Sequence, residues 1–329
     1  MKSVFAAVLG LICVIWSNCL HAQTRDGTPP NTAGGWKKSE ASPVLGGAMG
    51  TCFDVCVVRE GARYRMYFSW RPKKSVAVVE SRDGIRWSEP VVVLEPNAKT
   101  GWEADINRPV VVKREDGWHM WYTGQARGRS WIGYATSTDG NKWVRKSDKP
   151  VLSPEQSWEK VAVMCPHVLW DEGRKQYRMW YSGGDQYEPD AIGYATSRDG
   201  VKWEKNAEPV FKSDPDVAWE KYKVTACQVV PEGDGFVMFY IGFRDINHAQ
   251  IGLARSADGI SHWQRHPANP VIRPTPGGWD EDACYKPFAI FDGQKWMLWY
   301  NGRRKNIEQI GLAVHEGRDL GFGTASGLR

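Results

Sequence analysis

Acidic residues precede four apolar segments of the chain, and each of them directly follows a tryptophan. The segments read GWEADINRP (101–109), SWEKVAVMCPH (157–167), AWEKYKVTACQ (218–228) and GWDEDACYKP (278–287). The acids in question are Glu103, Glu159, Glu220 and Asp280. A carboxylate of this kind can act as a general acid, a general base or a nucleophile. A group found in repeat after repeat is more typical of a scaffold, because catalysis needs different groups at different positions, but one or two of the four remain candidates.

Other acids break this repetition and are stronger candidates for catalysis. Asp54 precedes the first apolar segment, at a position where the other segments carry Arg108, Cys165, Cys227 and Lys286. A buried carboxylate is costly unless it is paired or lies in a functional cavity. We therefore expect Asp54 either to form a structural ion pair with a neighbouring cation or to act in catalysis. The other unrepeated acids near these segments are Asp105 and Asp282.

Basic and aromatic residues near the same segments predict a site for sugars, since Arg and Lys donate hydrogen bonds to hydroxyl-rich or acidic ligands. The predicted substrate-binding residues are Arg108, His167, Arg244, Asp282, Tyr285 and Lys286. His167 has two further interpretations, as a core histidine or as a group that orients the water shell of a calcium ion. Hairpins on the same side add Arg71, Arg127, Asp185, Asp245, Arg303 and Arg304, most of which are explained by surface charge alone.

These residues must be positioned by a repeat that recurs about every sixty residues. Its copies read VAVVESRDGIRW (76–87), IGYATSTDGNKW (132–143), IGYATSRDGVKW (192–203) and IGLARSADGISHW (251–263). Alternating polarity predicts a strand, Asp-Gly a tight hairpin turn, and the tryptophan the start of a returning strand. Two more apolar segments precede each copy, so that each unit has four strands. Five such units predict an all-β fold, a five-bladed β-propeller of four-stranded antiparallel blades.

The last unit lacks a fourth strand after IGLAV (310–314), and the N-terminal segment can supply it. GGWKKSEASPVL (34–45) repeats the spacing of WVRKSDKPVL (143–152), which is the fourth strand of another unit. We predict that this segment is the outer strand of blade five and closes the ring, because closure removes exposed sheet edges. The Asp-Gly turns then lie on the rim opposite the site, and we expect no catalytic role for them.

The first residues, MKSVFAAVLGLICVIWSNCLHAQ, have the layout of a secretory signal peptide whose apolar run is too short to span a bilayer. The predicted organisation is a signal peptide at 1–22, a flexible N-terminal segment at 23–34 and a single propeller domain at 35–329. The protein is expected to be secreted or periplasmic, with a lipid anchor at Cys19 as the alternative. No later stretch is apolar enough to predict a membrane span.

The composition narrows the range of partners. The net charge of +5 is not clustered into basic runs, which argues against a nucleic-acid partner. The 18 Trp and 12 Tyr residues favour contact with flat, weakly polar surfaces such as sugar rings. Five cysteines outside the signal peptide cannot all pair; they are expected to be buried apolar residues, with one disulfide as an option. We predict a monomer without an organic cofactor, and a structural calcium ion as an option.

Motifs such as MWYSGG and IGYATS resemble those of the five-bladed propeller glycosidases over roughly residues 35–322. This superfamily contains arabinanases, β-xylosidases, arabinofuranosidases, levansucrases and invertases. The resemblance implies an axial site with an Asp as base or nucleophile, a second Asp that tunes its neighbours and a Glu as general acid. Asp54 matches the first of these and Asp105 is assigned the second. Met164 stands where the family's acid is expected, so that the acid would be Glu159, Glu220 or a member of the cluster 280–282.

The sequence therefore predicts a glycoside hydrolase that acts on a polysaccharide-derived oligosaccharide. It is expected to be exo-acting and furanosidase-like, of the arabinofuranosidase type, with carboxylate general acid and base catalysis. One alternative is a non-catalytic carbohydrate-binding propeller. Another is a glycoside phosphorylase, with a phosphate site made from Arg108, Lys286 and arginines of the rim.

Overall fold

The computed structural model describes residues 31–185 and 189–323. The predicted signal peptide and most of the predicted flexible segment lie outside the described residues. The described part consists of antiparallel strands, and its only helical elements are the 3-10 turns Gly47–Met49, Arg71–Lys73, Ala98–Thr100 and Ser157–Glu159. The all-β prediction is confirmed. No helix in the described ranges has both the length and the apolar character that a membrane crossing requires.

The first strand, β1 (Trp36–Lys38), pairs with the last unit, and the other strands form five consecutive units. Unit 1 contains β2 (Cys52–Glu60), β3 (Arg63–Trp70), β4 (Ser75–Ser81) and β5 (Val91–Leu94). Unit 2 contains β6 (Asp105–Arg114), β7 (Gly117–Ala126), β8 (Arg129–Ser137) and β9 (Val144–Arg145). Unit 3 contains β10 (Ala162–Asp171), β11 (Gln176–Gly184), β12 (Pro189–Ser197), β13 (Glu204–Lys205) and β14 (Phe211–Lys212). Unit 4 contains β15 (Lys223–Glu232), β16 (Gly235–Asp245), β17 (His248–Ser256) and β18 (Gln264–Arg265), and unit 5 contains β19 (Ala283–Phe291), β20 (Lys295–Arg304) and β21 (Ile307–Glu316).

Within each unit the strands pair antiparallel in chain order, except that β14 pairs with β12. One parallel pair, Ser130 with Ala162, joins β8 to β10 and so links units 2 and 3 into one nine-stranded sheet. In unit 5 the fourth strand is β1, in which Trp36 lies opposite His315 and Lys38 opposite Ala313. The first strand of each unit contacts the first strands of two other units: β2 contacts β6, β6 contacts β10, β10 contacts β15, β15 contacts β19, and β19 contacts β2. The second strands carry large, fully buried aromatic residues, among them Trp121, Trp180 and Trp299. The apolar core therefore lies within and between the units.

The tryptophan of the repeated Trp-acid pair explains two glycines of the strand motifs. Trp102 stacks on Tyr122 with ring centroids 6.1 Å apart. A Cβ added to Gly124 would lie 2.3 Å from this indole, and one added to Gly133 would lie 2.6 Å from it. Glycine is needed at both positions because any side chain would displace the indole. The tryptophan of this Trp-acid pair therefore packs against the sheet of its own unit.

The Asp-Gly hairpins connect neighbouring units. In unit 2, Oδ1 of Asp139 accepts the N–H groups of Asn141 and Lys142, each at 2.8 Å. These backbone hydrogen bonds lower the pKa of Asp139 to about 2. The carbonyl of Gly140 accepts the Tyr67 hydroxyl of unit 1 at 2.9 Å. The carbonyls of Gly84, Gly200 and Gly259 accept indole N–H groups from Trp299, Trp121 and Trp180 in the same way.

Each first strand carries a bulge with one residue in the left-handed region. These residues are Asp54, Arg108, Cys165, Ala226 and Lys286, with φ of 57°, 54°, 54°, 34° and 50°. Such a conformation costs roughly 1–2 kcal/mol for a residue other than glycine, so each bulge must be stabilised by its surroundings. In four of the five the N–H donates to a second strand: Arg108 to Ser69 (2.9 Å), Cys165 to Thr123 (3.1 Å), Ala226 to Ser182 (2.8 Å) and Asp54 to Asn301 (3.1 Å).

One sequence equivalence was wrong. Cys227 was aligned with Asp54, but Ala226 occupies that position. The register shifts between Thr225 and Cys227 in β15, and between Phe53 and Cys56 in β2. Each bulge adds one residue, and Ala226 lies two positions before the pair of Gln228 with Phe239 just as Asp54 lies two positions before the pair of Cys56 with Tyr67, so that the two residues are equivalent. Apolar patterning alone does not reveal this register.

Candidate active site

A cavity of about 170 Å³ opens where the left-handed residues of the first strands meet. All five left-handed residues line it, and three of them are charged: Asp54, Arg108 and Lys286. Arg71 lines it from the turn between β3 and β4, Arg303 from the end of β20 and Glu308 from the start of β21. The cavity thus collects two carboxylates and four cationic side chains from units 1, 2 and 5.

Asp54 is the first carboxylate of the cavity. It is only 2% exposed. Its Oδ2 accepts the hydroxyl of Ser69 at 3.1 Å, and its N–H donates to Oδ1 of Asn301. Ser69 in turn accepts the N–H of Arg108. Because both the carboxylate and its backbone are hydrogen-bonded, the orientation of Asp54 is defined before any ligand binds.

Glu308 is the second carboxylate, and the sequence reasoning missed it. Its side chain is 17% exposed, and Nη2 of Arg71 lies 3.9 Å from Oε2. The Tyr285 hydroxyl donates to Oε1. Burial and the charge of Asp54 raise the pKa of Glu308, while the hydrogen bond from Tyr285 and the charges of Arg71 and Arg108 lower it; the net direction is upward. A carboxyl with a raised pKa beside a second carboxylate has the properties of a proton donor.

A sequence signal for Glu308 existed. It lies two residues before the strand motif IGLAV, where the other units carry Lys74, Ser130, Asp190 and Ala249. Acids that break the symmetry occur in the third strands as well as in the first. In the third strands they are Glu308 and Asp190. Asp190 pairs with Lys160 at 2.5 Å and with Lys223 at 3.1 Å, whereas Glu308 lines the cavity.

Two polar groups near the cavity lack a hydrogen-bond partner among the described residues. They are the hydroxyl of Thr225, which lines the cavity, and the amide nitrogen of Asn301, whose other amide atom binds Asp54. A buried polar group without a partner is destabilising by about 1–3 kcal/mol. Both are therefore suited to hydrogen-bond a polar ligand or water.

Asp105 lies beside this cavity and does not line it. It is half-buried at the start of β6, and the amide of Asn107 donates to its Oδ1 at 3.4 Å. Burial raises its pKa, while the charges of Arg71 and Arg108 lower it. Asp105 thus shares two cations with Glu308 and can influence the charge balance of the site without touching a ligand in the cavity.

Glu159 and Glu220, assigned to catalysis from the sequence, lie outside the cavity. Glu159 accepts hydrogen bonds from the Tyr181 hydroxyl at 2.7 Å and from Nζ of Lys205 at 2.9 Å. Glu220 accepts from the Tyr240 hydroxyl and from Nε of Arg265, both at 2.5 Å. Both carboxylates are fully buried. Saturated hydrogen bonding and burial leave no room for a glycosidic oxygen, so we remove both residues from the candidate acids.

The same cluster recurs in units 2 and 5. Glu103 binds the Tyr122 hydroxyl at 2.8 Å and Nε of Arg145 at 3.0 Å. Asp280 binds the Tyr300 hydroxyl at 3.0 Å and Nζ of Lys38 at 2.6 Å. Each cluster joins the link before the first strand to the second and fourth strands of one unit. The Trp-acid pairs are therefore parts of the scaffold.

The predicted binding residues divide into three groups. Arg108, Tyr285 and Lys286 line the cavity. His167 lines a smaller, deeper cavity, and its Nε2 donates to the carbonyl of Val229 at 2.8 Å; burial lowers its pKa to about 4, so that it is a neutral core histidine. Asp282 accepts the N–H of Lys305, and Arg244 lies in a separate groove where it pairs with Asp245.

Within the described ranges, no three His, Cys, Asp or Glu side chains are grouped so as to hold a metal ion. The five described cysteines have free thiols. The polar groups that line the cavity are carboxylates, cations, a phenol and uncharged side chains. These groups can donate or accept protons and can bind hydroxyl or anionic groups.

An all-β fold of repeated antiparallel units, with two carboxylates and several cations around one cavity, defines a class of sugar-cleaving enzymes, the propeller glycoside hydrolases. Residues 56–229 match the family described as Glycosyl hydrolases family 32 N-terminal domain. This chain belongs to that family. The suspected membership of the propeller glycosidase superfamily is confirmed.

The chain is similar to several proteins over most of its length. An uncharacterized protein of Mycobacterium tuberculosis (strain ATCC 25618 / H37Rv) is 30% identical over 78% of this chain and 89% of its own length. A 1,2-β-oligomannan phosphorylase of Thermoanaerobacter sp. (strain X514) is 27% identical over 68% of this chain and 73% of its own. A solved structure described as a glycoside hydrolase aligns with a TM-score of 0.70 at 18% identity, and covers 83% of this chain and 89% of that one. A structure from work on mannoside phosphorylases and hydrolases of the GH130 family aligns with a TM-score of 0.69 at 16% identity, over 89% of this chain and 96% of that one.

Proposed function

We propose that the five units are the blades of one closed propeller. Two contacts support closure: the N–H of Asp54 in unit 1 donates to Asn301 in unit 5, and the indole of Trp299 donates to Gly84. Both repeat contacts found between other neighbouring units. The pairing of β1 with β21 and the ion pair of Lys38 with Asp280 join the chain start to the last blade.

We propose that the protein cleaves a glycosidic bond in the axial cavity. The observation that carries this proposal is the presence of two carboxylates, Asp54 and Glu308, in one cavity, with the pKa of Glu308 raised. Cleavage needs one protonated carboxyl to assist the leaving oxygen and one ionised carboxylate on the other side of the bond. Glu308 is assigned the proton donor and Asp54 the ionised group.

The neighbouring residues support this assignment. The Tyr285 hydroxyl and Arg71 contact Glu308 and orient its carboxyl group. Arg108 and Lys286 offer cationic donors to sugar hydroxyls beside Asp54. Glu308 gives its proton to the glycosidic oxygen as the bond from that oxygen to the anomeric carbon breaks. As this bond breaks, Asp54 either takes a proton from the water whose oxygen bonds to the anomeric carbon, or bonds to that carbon itself. In the second case a water that gives a proton back to Glu308 then releases the sugar from Asp54. The separation of the two carboxyl groups in the complex decides between the two routes.

Hydrolysis is the reaction proposed first, and phosphorolysis is the second candidate. The four cations Arg71, Arg108, Lys286 and Arg303 exceed the two carboxylates of the cavity, which favours an anionic group in or near it. One relative is named as a phosphorylase of 1,2-β-oligomannan. In phosphorolysis, inorganic phosphate would replace water as the acceptor and the product would be a sugar 1-phosphate.

The substrate remains a proposal. The furanosidase preference and exo action expected from the sequence stay predictions, and so do secretion and the monomeric state. We propose a screen with two oligosaccharide series of two to five residues, α-1,5-linked arabinose and β-1,2-linked mannose, together with the matching aryl glycosides. Each reaction is run with and without phosphate. Release of free sugar without phosphate supports hydrolysis, and strict dependence on phosphate with formation of a sugar 1-phosphate supports phosphorolysis.

The catalytic roles are tested with Asp54→Asn, Glu308→Gln and the control Glu316→Gln, an exposed acid of the same strand as Glu308. Asparagine also tolerates the left-handed backbone of Asp54. We expect kcat/KM to fall roughly 10²–10⁴-fold for both site variants on oligosaccharides, and Glu308→Gln to lose much less on aryl glycosides with good leaving groups. Full activity of either site variant would refute its role. Sugar binding without turnover by the wild-type protein would instead support a carbohydrate-binding propeller.

A further inference from the structure

A shallow groove next to the cavity has no part in the proposed chemistry. Pro215, Lys221 and Tyr222, from the link before β15, form one side of it. Arg244 and Asp245, at the end of β16, and Ile246, in the turn that follows, form the other. Tyr222 is 46% exposed and Ile246 is 48% exposed. Few large apolar side chains of the described chain are so exposed, and two of them meet here.

Hydrogen bonds to backbone carbonyls connect the groove and the segment beside it to residues of the cavity lining. The N–H of Tyr222 donates to the carbonyl of Phe243 at 3.0 Å, and Phe243 lines the cavity. On the other side, Nη2 of Arg303, also in the cavity lining, donates to the carbonyl of Asn247 at 3.0 Å. Phe243 of the cavity lining is followed directly by Arg244 of the groove in β16, so that the cavity and the groove adjoin along this strand.

The groove is held in place before any ligand binds. Oδ1 of Asp245 accepts the N–H of Asn247 at 3.0 Å and is 2.6 Å from Nδ1 of His248, which closes the hairpin. Lys223, next to Tyr222, has a nearly buried side chain whose Nζ lies 3.1 Å from Asp190. Preorganised aromatic side chains bind with little loss of conformational entropy.

The chemistry of the groove fits a sugar. One face of a pyranose or furanose ring is made of C–H groups and its edges carry hydroxyls, so that it matches an aromatic surface flanked by charged donors and acceptors. Tyr222 and Ile246 supply the apolar surface, and Arg244 and Asp245 supply the polar edge. Two isolated apolar side chains are far less than a stable protein interface requires.

We propose that this groove is an outer saccharide-binding subsite, which holds the part of an oligosaccharide that extends from the cavity. Tyr222 stacks on a sugar ring, and Arg244 donates to its hydroxyls. This inference rests on the proposed function, because it assumes that the cavity binds one end of the same oligosaccharide. It also gives Arg244 a binding role outside the cavity.

The test compares chain lengths in the two oligosaccharide series of the screen. For Tyr222→Ala we expect KM to rise about tenfold for substrates of four and five residues, with aryl monoglycosides unaffected. Tyr222→Phe keeps the ring and should retain wild-type KM, whereas Arg244→Met should raise KM for the long substrates severalfold. Val91→Ala, at a 57% exposed residue of unit 1, is the control and should change nothing.

The outcomes separate the two proposals. If the wild-type protein cleaves the oligosaccharides and Tyr222→Ala changes KM equally for all chain lengths, or for none, the subsite proposal is refuted. The proposed function is unaffected by that result. If no glycoside is cleaved, direct titration with the five-residue oligosaccharides decides: binding that Tyr222→Ala weakens supports the subsite and overturns the catalytic role. Absence of both turnover and binding overturns both.

Discussion

The assignment of Glu308 as proton donor predicts a defined change in pH dependence when Arg71 is replaced by Gln. Nη2 of Arg71 lies 3.9 Å from Oε2 of Glu308, and the arginine side chain is 53% exposed. Two unit charges at this distance interact by about 1 kcal/mol in bulk water, and since Glu308 is mostly buried this value is a lower limit for the pair. Loss of this interaction should make Glu308 a weaker acid by at least about fivefold.

The sign follows from the role of the proton. A proton donor must be protonated to work, so that activity is lost as pH rises through the pKa of Glu308. Arg71 stabilises the ionised form and lowers this pKa. In Arg71→Gln the alkaline limb of kcat/KM should therefore move to higher pH, whatever happens to its height.

The assay is kcat/KM for an oligosaccharide between pH 4 and 9 at constant ionic strength, with Arg82→Gln as a control that removes an exposed arginine far from the cavity. The shift should shrink in about 1 M salt, because screening reduces the interaction of exposed charges. If the acid limb of the kcat/KM profile shifts instead, Glu308 is the general base. If neither limb shifts, Glu308 is not one of the groups whose titration controls the rate.

Three further predictions concern the scaffold and are measured by urea unfolding. Glu220→Gln weakens the cluster with Tyr240 and Arg265 and should lower the free energy of unfolding by about 2 kcal/mol while kcat is kept; a loss of turnover at unchanged stability would return Glu220 to the catalytic residues. Lys38→Met leaves the fully buried Asp280 without its cation and should be destabilising by about 3 kcal/mol, and a negligible effect would contradict closure of the last unit by β1. Gly200→Ala places a Cβ 2.8 Å from the Trp121 ring at φ +75° and should be more destabilising than Gly233→Ala, at φ +60° with no atom within 4 Å, which bears only the backbone strain of about 1–2 kcal/mol. If the two variants lower the free energy of unfolding equally, the contact between the turn at Gly200 and Trp121 of the neighbouring unit does not contribute to stability.

The sequence was sufficient for the repeated units and for Asp54, because both depend on local patterning. Alternating polarity and Asp-Gly turns define strands and hairpins within a dozen residues. Asp54 stood out because it breaks a repeated position next to an apolar segment. The scaffold interpretation of the Trp-acid pairs followed from their repetition, and the structure shows the Tyr and cation that each acid binds.

The remainder depended on contacts between distant segments. Glu308 and Asp54 are more than 250 positions apart in the chain, and only the meeting of units 5 and 1 brings both to one cavity. Ala226 was missed because polarity does not mark the bulge, although Ala226 lies seven residues after Trp219 just as Cys165 lies seven residues after Trp158. Glu159 and Glu220 were predicted to be catalytic because the sequence does not reveal the cations that pair with them. These cations, Lys205 and Arg265, lie about 45 residues downstream on the outer strands.

The left-handed residues at the centre have a consequence for how such a protein can change. In four of the five, the backbone N–H is bonded to a side chain of a neighbouring unit, so that the backbone shape does not depend on which side chain the residue itself carries. Aspartate, arginine, cysteine, alanine and lysine all occupy it in this one molecule. New chemistry can therefore enter through single replacements at Cys165 or Ala226, and the architecture would tolerate them without being redesigned.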